Sequence, residues 1–190
     1  MSLPLDVTTR LSARYSEPHR HYHTLAHVEA LQRWLQHWHA LAREPQLIDA
    51  AIWFHDAVYD PRRSDNEQRS AELAHVELAA IGWPHDEVER VAALVLATQH
   101  HHADADDTDA RLFLDLDLSV LAQSAPNYAR YSAAVRAEYA WVDEARFRAG
   151  RSVVLRSFLE RAAIYRTPEL HAAWDAAARA NLQAELNRLA

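Results

Sequence analysis

Apolar side chains recur along the chain at intervals of three and four residues, the spacing of one face of an α-helix. Val28, Leu31, Leu35 and Trp38 form one such stripe. Prolines, glycines and polar runs separate the stripes, and together they predict about nine helices. The predicted helices cover residues 4–15, 24–42, 46–59, 64–81, 84–100, 110–123, 126–140, 143–165 and 168–188.

Several of these helices carry signals at their ends. Ser64 and Glu67 have the Ser-x-x-Glu spacing of a capping box, in which each side chain bonds the backbone of the other residue. Gly82 predicts the end of the same helix, because glycine readily adopts the backbone conformation that closes a helix. Thr167 before a proline is typical of a helix start. The very polar run 100–109 is expected to be a solvated connection.

The composition favours an all-α fold. Glycine occurs twice, at Gly82 and Gly150, while good helix formers such as alanine and leucine dominate. So few glycines also exclude the glycine-rich phosphate loops of P-loop and dinucleotide-binding folds. With no repeat or flexible linker, the sequence predicts a single-domain helical bundle over residues 1–190. Its core would span about 22–125, with the helices of 126–190 packed on that core.

The chain is acidic, with 27 acidic and 20 basic residues and a formal charge of −7, and no basic run stands out. We therefore expect no binding of large nucleic acids. Cysteine is absent, which excludes disulfides, thiolate metal sites and a cysteine nucleophile. No apolar stretch approaches membrane-spanning length and the N-terminus lacks a signal-peptide pattern, so we expect a cytoplasmic protein without membrane attachment. Homo-oligomer formation is left open.

The most informative stretch is the apolar run from Leu47 to Tyr59. As a helix it leaves no polar stripe, so it should be buried on all sides, yet His55 and Asp56 stand near its end. A buried carboxylate tends to pair, become neutral or bind a cation, and a neutral imidazole beside it offers a nitrogen lone pair. A metal ion would satisfy both groups. The simpler interpretation is that His55 caps a carbonyl and Asp56 pairs with an arginine.

Two further segments favour the metal. His27 lies upstream of the doublet, and Asp115 and Asp117 lie downstream, each on an apolar segment. This ordered series of His, His-Asp and Asp resembles the HD-domain superfamily of metal-dependent phosphohydrolases. More narrowly, it resembles the small bacterial family of predicted metal-dependent HD phosphohydrolases. The resemblance is strongest between residues 22 and 121, and it implies a helical fold of the HD-domain type.

The resemblance also implies a set of metal ligands. His27, His55 and Asp56 match the family's first histidine and its doublet, and one late aspartate would complete four protein ligands. Asp115 and Asp117 are both candidates, but residues two apart in a helix point to nearly opposite sides, so only one is expected to bind. We favour Asp117, because the family's final aspartate is commonly followed by a pattern like Leu118-Ser119-Val120-Leu121. Nitrogen and oxygen ligands suit a divalent manganese, zinc, iron, cobalt, nickel or magnesium ion.

In the mechanism that the resemblance implies, the ion lowers the pKa of a bound water, and the resulting hydroxide attacks phosphorus. A nearby acid must protonate the leaving alcohol or orient the water. Glu67 and Asp60 are the catalytic candidates, because both follow the doublet closely and related enzymes place an acidic residue there. The capping box would equally explain Glu67, and shaping of the turn would explain Asp60.

Substrate contacts are expected from arginines and histidines near this centre. Arginines on the loop after the doublet would clamp phosphate, although loop arginines are often merely exposed. Histidines at a helix end would hold a second metal or simply interact with the helix dipole. An arginine in the segment 147–151 would either meet a phosphate or pack on the surface. The candidate substrate-binding residues are His23, Arg62, Arg63, His100, His101 and Arg151.

The resemblance therefore implies a metal-dependent phosphohydrolase that cleaves a phosphate ester of a nucleotide or another small molecule through a metal-activated water. One alternative keeps the metal without turnover, as a sensor that binds metal or nucleotide in the same pocket. Another is a helical structural protein whose histidines are incidental.

The remaining rings lack this organisation. Tryptophans at helical spacing, including Trp34, Trp38 and Trp141, are expected in the core. The other histidines are expected to be surface or packing residues; they include His37, His39, His75, His85 and His171.

Overall fold

The computed structural model describes residues 3–190 and confirms the all-α prediction, since that range contains helices and no strand. None of its helices is both long and apolar enough to cross a membrane. Two 3₁₀ segments lie at His39–Leu41 and Leu118–Ala122. The nine α-helices of the described range are α1 (Leu5–Arg14), α2 (Leu25–His37), α3 (Pro45–Phe54), α4 (Asn66–Ala80), α5 (His85–Ala97), α6 (Thr108–Asp117), α7 (Ala125–Glu138), α8 (Glu144–Leu159) and α9 (Pro168–Leu189).

The chain divides into two compact units, a first that ends at Leu116 and a second that covers Asp117–Ala190. The division falls at the C-terminal end of α6. The first unit contains α1 to α5 and nearly all of α6, and the second contains the later 3₁₀ segment and α7 to α9. The predicted single domain with a core of 22–125 stays a prediction.

Helix α3 is the centre of the first unit, where it packs against α1, α2, α4 and α5. Its apolar side chains are buried almost completely, as predicted for a helix without a polar stripe. However, α3 ends at Phe54 and not near residue 59. The amide of Ala57 donates a hydrogen bond to the Phe54 carbonyl at 3.0 Å, and the amide of Val58 donates one to Ser70 Oγ of α4 at 3.0 Å. These bonds replace the helical ones, so His55 and Asp56 lie in the turn after the helix.

The start of α4 differs from the prediction, and its end does not. Asp65 is the N-cap and no side chain caps the first turn, so the predicted capping box of Ser64 and Glu67 is wrong. At the other end Gly82 has φ 80°, its amide bonds the Ala79 carbonyl, and the next amide bonds the Leu78 carbonyl, both at 3.1 Å. This is the Schellman arrangement that favours glycine.

The polar run before α6 is less solvated than predicted. Asp109 is 4% exposed, and its carboxylate accepts the backbone amides of Arg43 and Glu44, both at 2.8 Å. These amides lie at the start of α3, where an anion compensates the positive end of the helix dipole. Asp107 accepts two bonds from Arg90 of α5 at 2.6 and 2.7 Å. Both aspartates therefore fix the connection to the rest of the first unit.

The second unit is organised around α9, which packs against the 3₁₀ segment and α8. Buried Glu185 of α9 accepts bonds from Tyr128, from Ser132 at 2.9 Å, and from the Nε and Nη2 atoms of Arg151 at 2.9 and 3.1 Å. Trp141 is 51% exposed, so its expected place in the core is wrong. It follows the end of α7, where the chain turns before α8.

Candidate metal centre

Three side chains from two parts of the first unit converge. His27 comes from the first turn of α2, whereas His55 and Asp56 come from the turn after α3. The Nε2 atoms of the two histidines are 3.1 Å apart. Asp56 Oδ2 lies 3.0 Å from His55 Nε2 and 3.8 Å from His27 Nε2. Both histidines are buried, and the Asp56 side chain keeps 19% of its exposure.

The three atoms are spaced like ligands of one ion. A point equidistant from atoms with these separations lies about 2 Å from each, which matches metal–nitrogen and metal–oxygen bonds of about 2.0–2.2 Å. The two imidazoles are tilted by 60° and each directs its Nε2 atom toward the other two ligand atoms. The donor set and its spacing therefore fit a divalent metal ion.

Hydrogen bonds on the far side of each ring orient these nitrogens. His55 Nδ1 lies 2.9 Å from the Ile52 carbonyl, which only accepts, so Nδ1 carries the proton and Nε2 presents a lone pair. His27 Nδ1 lies 3.2 Å from the Tyr22 hydroxyl, which can accept or donate. When Tyr22 accepts, two lone pairs face each other and a cation between them stabilises the contact. When Tyr22 donates, His27 Nε2 carries a proton and donates it to His55.

Asp56 is suited to bind a cation. Burial alone would raise the pKa of Asp56, but the positive charge of protonated His55, His23 and His27 rings would outweigh burial and hold that pKa below its usual range. A cation bound between neutral rings would act in the same direction, and the ionised carboxylate is the form that ligates metals.

Arg20 fixes the backbone around the centre. Its Nη1 donates to the Asp56 carbonyl at 2.7 Å and to the His23 carbonyl at 3.1 Å, and its Nη2 donates to the Ala57 carbonyl at 3.3 Å. The guanidinium also lies 5.1 Å from the Tyr15 ring centroid, a cation–π contact. The segment before α2 is thereby tied to the turn that carries the ligands. Sequence reasoning missed this residue, because nothing local distinguishes it from a surface arginine.

His23 lies beside the centre. Its ring centroid is 4.2 Å from that of Tyr59 and 6.2 Å from that of His27. The backbone carbonyl of Tyr59 in turn accepts a bond from His19 Nε2 at 2.8 Å. His23 is thus held within a group of rings that joins the segment before α2 to the turn after α3.

The two catalytic candidates differ in how they are held. Asp60 Oδ1 accepts the Arg62 amide at 2.9 Å, and Asn66 bonds the Asp60 amide at 3.0 Å and its carbonyl at 2.9 Å. These bonds shape the turn, which is the alternative role considered for Asp60. Glu67 lies half-buried in the first turn of α4 and makes no cap there.

Both arginines on the same loop are exposed. Arg63 forms two bonds with Asp65 at 2.7 and 2.5 Å. A phosphate that binds Arg63 would have to compete with this carboxylate. Sequence reasoning considered only the exposure of Arg63 and did not predict its pair with Asp65.

Helix α6 runs beside the centre, since the Phe113 ring meets that of His55 edge-on with centroids 5.9 Å apart. Asp115 follows two residues later in α6 and is 3% exposed. Asp117 is the last residue of α6 and belongs to the second unit. At this centre, the three ligand atoms that lie within 4.8 Å of one another belong to His27, His55 and Asp56. The choice between Asp115 and Asp117 as a further ligand stays a prediction.

The remaining substrate-binding candidates lie elsewhere in the chain. Helix α5 ends at Ala97, so His100 and His101 stand in the turn after it, and His101 has φ 46°. Arg151 is only 9% exposed within the second unit and is bound to Glu185. A phosphate would have to break that buried pair to reach it.

Comparisons with protein-family models, with curated proteins and with solved structures find no match to this chain. The fold and the centre define an all-α protein with a buried His–His–Asp group that could bind a metal ion. Membership of the HD-domain superfamily stays a prediction.

Proposed function

We propose that this protein is a metal-dependent phosphohydrolase in which His27, His55 and Asp56 hold a divalent ion. The observation that carries the proposal is the convergence of the two Nε2 atoms and one carboxylate oxygen, 3.0 to 3.8 Å apart. Two imidazoles and one carboxylate favour a transition metal such as zinc, manganese, iron, cobalt or nickel over magnesium. When bound, such an ion supplies an activated water and polarises a phosphoryl oxygen.

The surrounding residues support this chemistry. The Ile52 carbonyl and the Tyr22 hydroxyl hold the two imidazoles with Nε2 toward the centre, as outer partners of metal-bound histidines commonly do. The partial exposure of Asp56 leaves a side open to a substrate. His23 beside the centre and exposed Arg62 would bind the anionic phosphate.

Glu67 is the better of the two candidates for the general acid. The helix cap that would have explained it is absent, whereas one oxygen of Asp60 already bonds the Arg62 amide. Glu67 would give its proton to the leaving alcohol oxygen of a small phosphate ester, with a nucleotide as the first class to test.

Metal analysis of protein purified without chelator tests the first half of the proposal. Asp56→Asn keeps the shape of the side chain and removes its charge, so this variant should carry one equivalent of transition metal fewer than wild type. His171→Ala is a matched control, because His171 is exposed, lies beside a carboxylate and belongs to no three-ligand group in residues 3–190. Equal metal content in wild type and Asp56→Asn would contradict the proposal.

Phosphate release from a panel of nucleotides and small phosphate esters tests the second half. Wild type should release phosphate only with metal, Asp56→Asn should be inactive, and Glu67→Gln should lose rate while it retains metal. Equal release by wild type and Asp56→Asn would identify a contaminating phosphatase. Metal binding without turnover on any ester would favour the sensor. Asp115→Asn and Asp117→Asn, compared for metal content, identify which aspartate completes the ligand set.

A further inference from the structure

A second group of potential ligands lies on the surface of the first unit, in residues that the sequence assigned to no site. His75 belongs to α4, whereas His85 and Glu89 belong to α5. Glu89 Oε1 lies 2.9 Å from His75 Nε2 and 3.8 Å from His85 Nδ1. One ligand atom from each residue lies within 4.8 Å of the other two.

The packing of the two helices creates this group. Helices α4 and α5 are joined by a short turn through Gly82 and pack closely against each other. His85 and Glu89 are four residues apart on α5 and therefore share one face. His75 reaches the same place from α4, and its ring meets that of His85 at 80° with centroids 6.4 Å apart.

We propose that His75, His85 and Glu89 form a second metal site, which takes zinc, nickel or copper. Two imidazoles and one carboxylate suit these ions. The side chains are 47%, 83% and 55% exposed, so water would complete the coordination. This proposal does not depend on the phosphohydrolase activity or on the buried centre.

The local charge supports a cation at this place. His85 opens α5, where the positive end of the helix dipole would oppose a cation. Asp86 and Glu87 in the same first turn offset the dipole, and Glu89 supplies a further negative charge. A pairwise contact of His75 with Glu89 would not need His85. A metal site uses all three residues.

The site would fasten the hairpin that supports the buried centre. Ser70 and Asn66, which hold the turn after α3, lie on α4 five and nine residues before His75. An ion that joins α4 to α5 would restrain this hairpin. We therefore expect metal bound at this site to raise the melting temperature of the protein.

Titration of the protein with zinc or nickel in the Asp56→Asn background tests the proposal, because that variant lacks the carboxylate ligand of the first centre. Asp56→Asn should bind one equivalent and show a zinc-dependent rise in melting temperature. Adding His85→Ala should weaken binding at least tenfold and abolish the rise. His85 is 83% exposed, so its replacement should leave the fold intact. Glu89→Gln should weaken binding in the same way, and His171→Ala should not.

Equal binding by Asp56→Asn and by Asp56→Asn with His85→Ala would overturn the proposal. Absence of metal from Asp56→Asn would overturn it as well. Neither result affects the buried centre. That centre is tested by comparing the metal content of the His85→Ala variant with that of the double variant His85→Ala and Asp56→Asn.

Discussion

Arg20→Met should destabilise the protein strongly, although Arg20 lies outside every helix. The Arg20 side chain has no exposed surface and donates to three backbone carbonyls, those of His23, Asp56 and Ala57. Methionine keeps the apolar stem and removes every donor. The three carbonyls would then lose a charged partner inside the protein, where unpaired polar groups are costly.

The expected loss can be estimated from these contacts. Leaving a buried carbonyl without its donor costs about 1–3 kcal/mol, so the three carbonyls together account for about 3–9 kcal/mol, and the lost cation–π contacts with Tyr15 and Tyr59 add about 1 kcal/mol. Relief from burying the charge offsets part of this, so we expect a net loss of about 4 kcal/mol. The ion pair with Glu17, whose side chain is 38% exposed, contributes less than about 1 kcal/mol.

Equilibrium urea unfolding followed by circular dichroism measures this loss. Arg10→Met is the control, because Arg10 is 50% exposed and pairs with two carboxylates, so its loss of stability should be much smaller than that of Arg20→Met. Arg20→Lys should fall between the two, since one ammonium cannot reach three carbonyls in the guanidinium's fork geometry. Similar losses for Arg20→Met and Arg10→Met would refute the reasoning that Arg20 locks the turn.

Three further predictions concern other parts of the fold. Glu185→Gln leaves the guanidinium of Arg151 buried without its counter-charge, so urea unfolding should show a loss of about 3 kcal/mol, and a loss below about 1 kcal/mol would contradict a buried pair. Arg90 holds the pKa of Asp107 below its usual range, so the pair stabilises the fold above about pH 4 and the contribution disappears as the pH falls through the lowered pKa. Asp107→Asn should therefore cost up to about 1 kcal/mol at neutral pH and progressively less as the pH falls below about 4, as thermal melts across pH would report. Gly82→Ala should lower stability by about 1 kcal/mol through its φ of 80° alone, because an added Cβ meets no atom within 4 Å; an unchanged melting temperature would argue against strain there.

The sequence predicted the helices well because burial of a periodic apolar face is a local property. It misplaced the end of α3 because that end depends on Ser70, which lies 12 residues after Val58 and meets it only in the folded chain. The predicted capping box is wrong although Ser64 and Glu67 have the right spacing. Helix α4 begins instead at Asn66, whose side chain forms hydrogen bonds with the backbone of Asp60 across the turn.

At the candidate centre, the sequence identified the residue types and not their supports. His27, His55 and Asp56 are recognisable in the sequence because a polar group on a buried apolar segment is costly unless it is paired or binds a ligand. Arg20 has no such signal, since an arginine before a helix is usually solvated. The surface group of His75, His85 and Glu89 was missed because it exists only when α4 and α5 pack together.

The anchoring of Asp56 through its carbonyl, and not through its side chain, has a consequence for protein engineering. Arg20 binds the backbone carbonyl of residue 56, and this bond does not depend on the side chain at that position. Asp56→His would therefore exchange one oxygen donor for a nitrogen donor on an unchanged scaffold. The preference of the centre should then shift toward ions that favour imidazole, such as copper and zinc, without redesign of the surrounding helices.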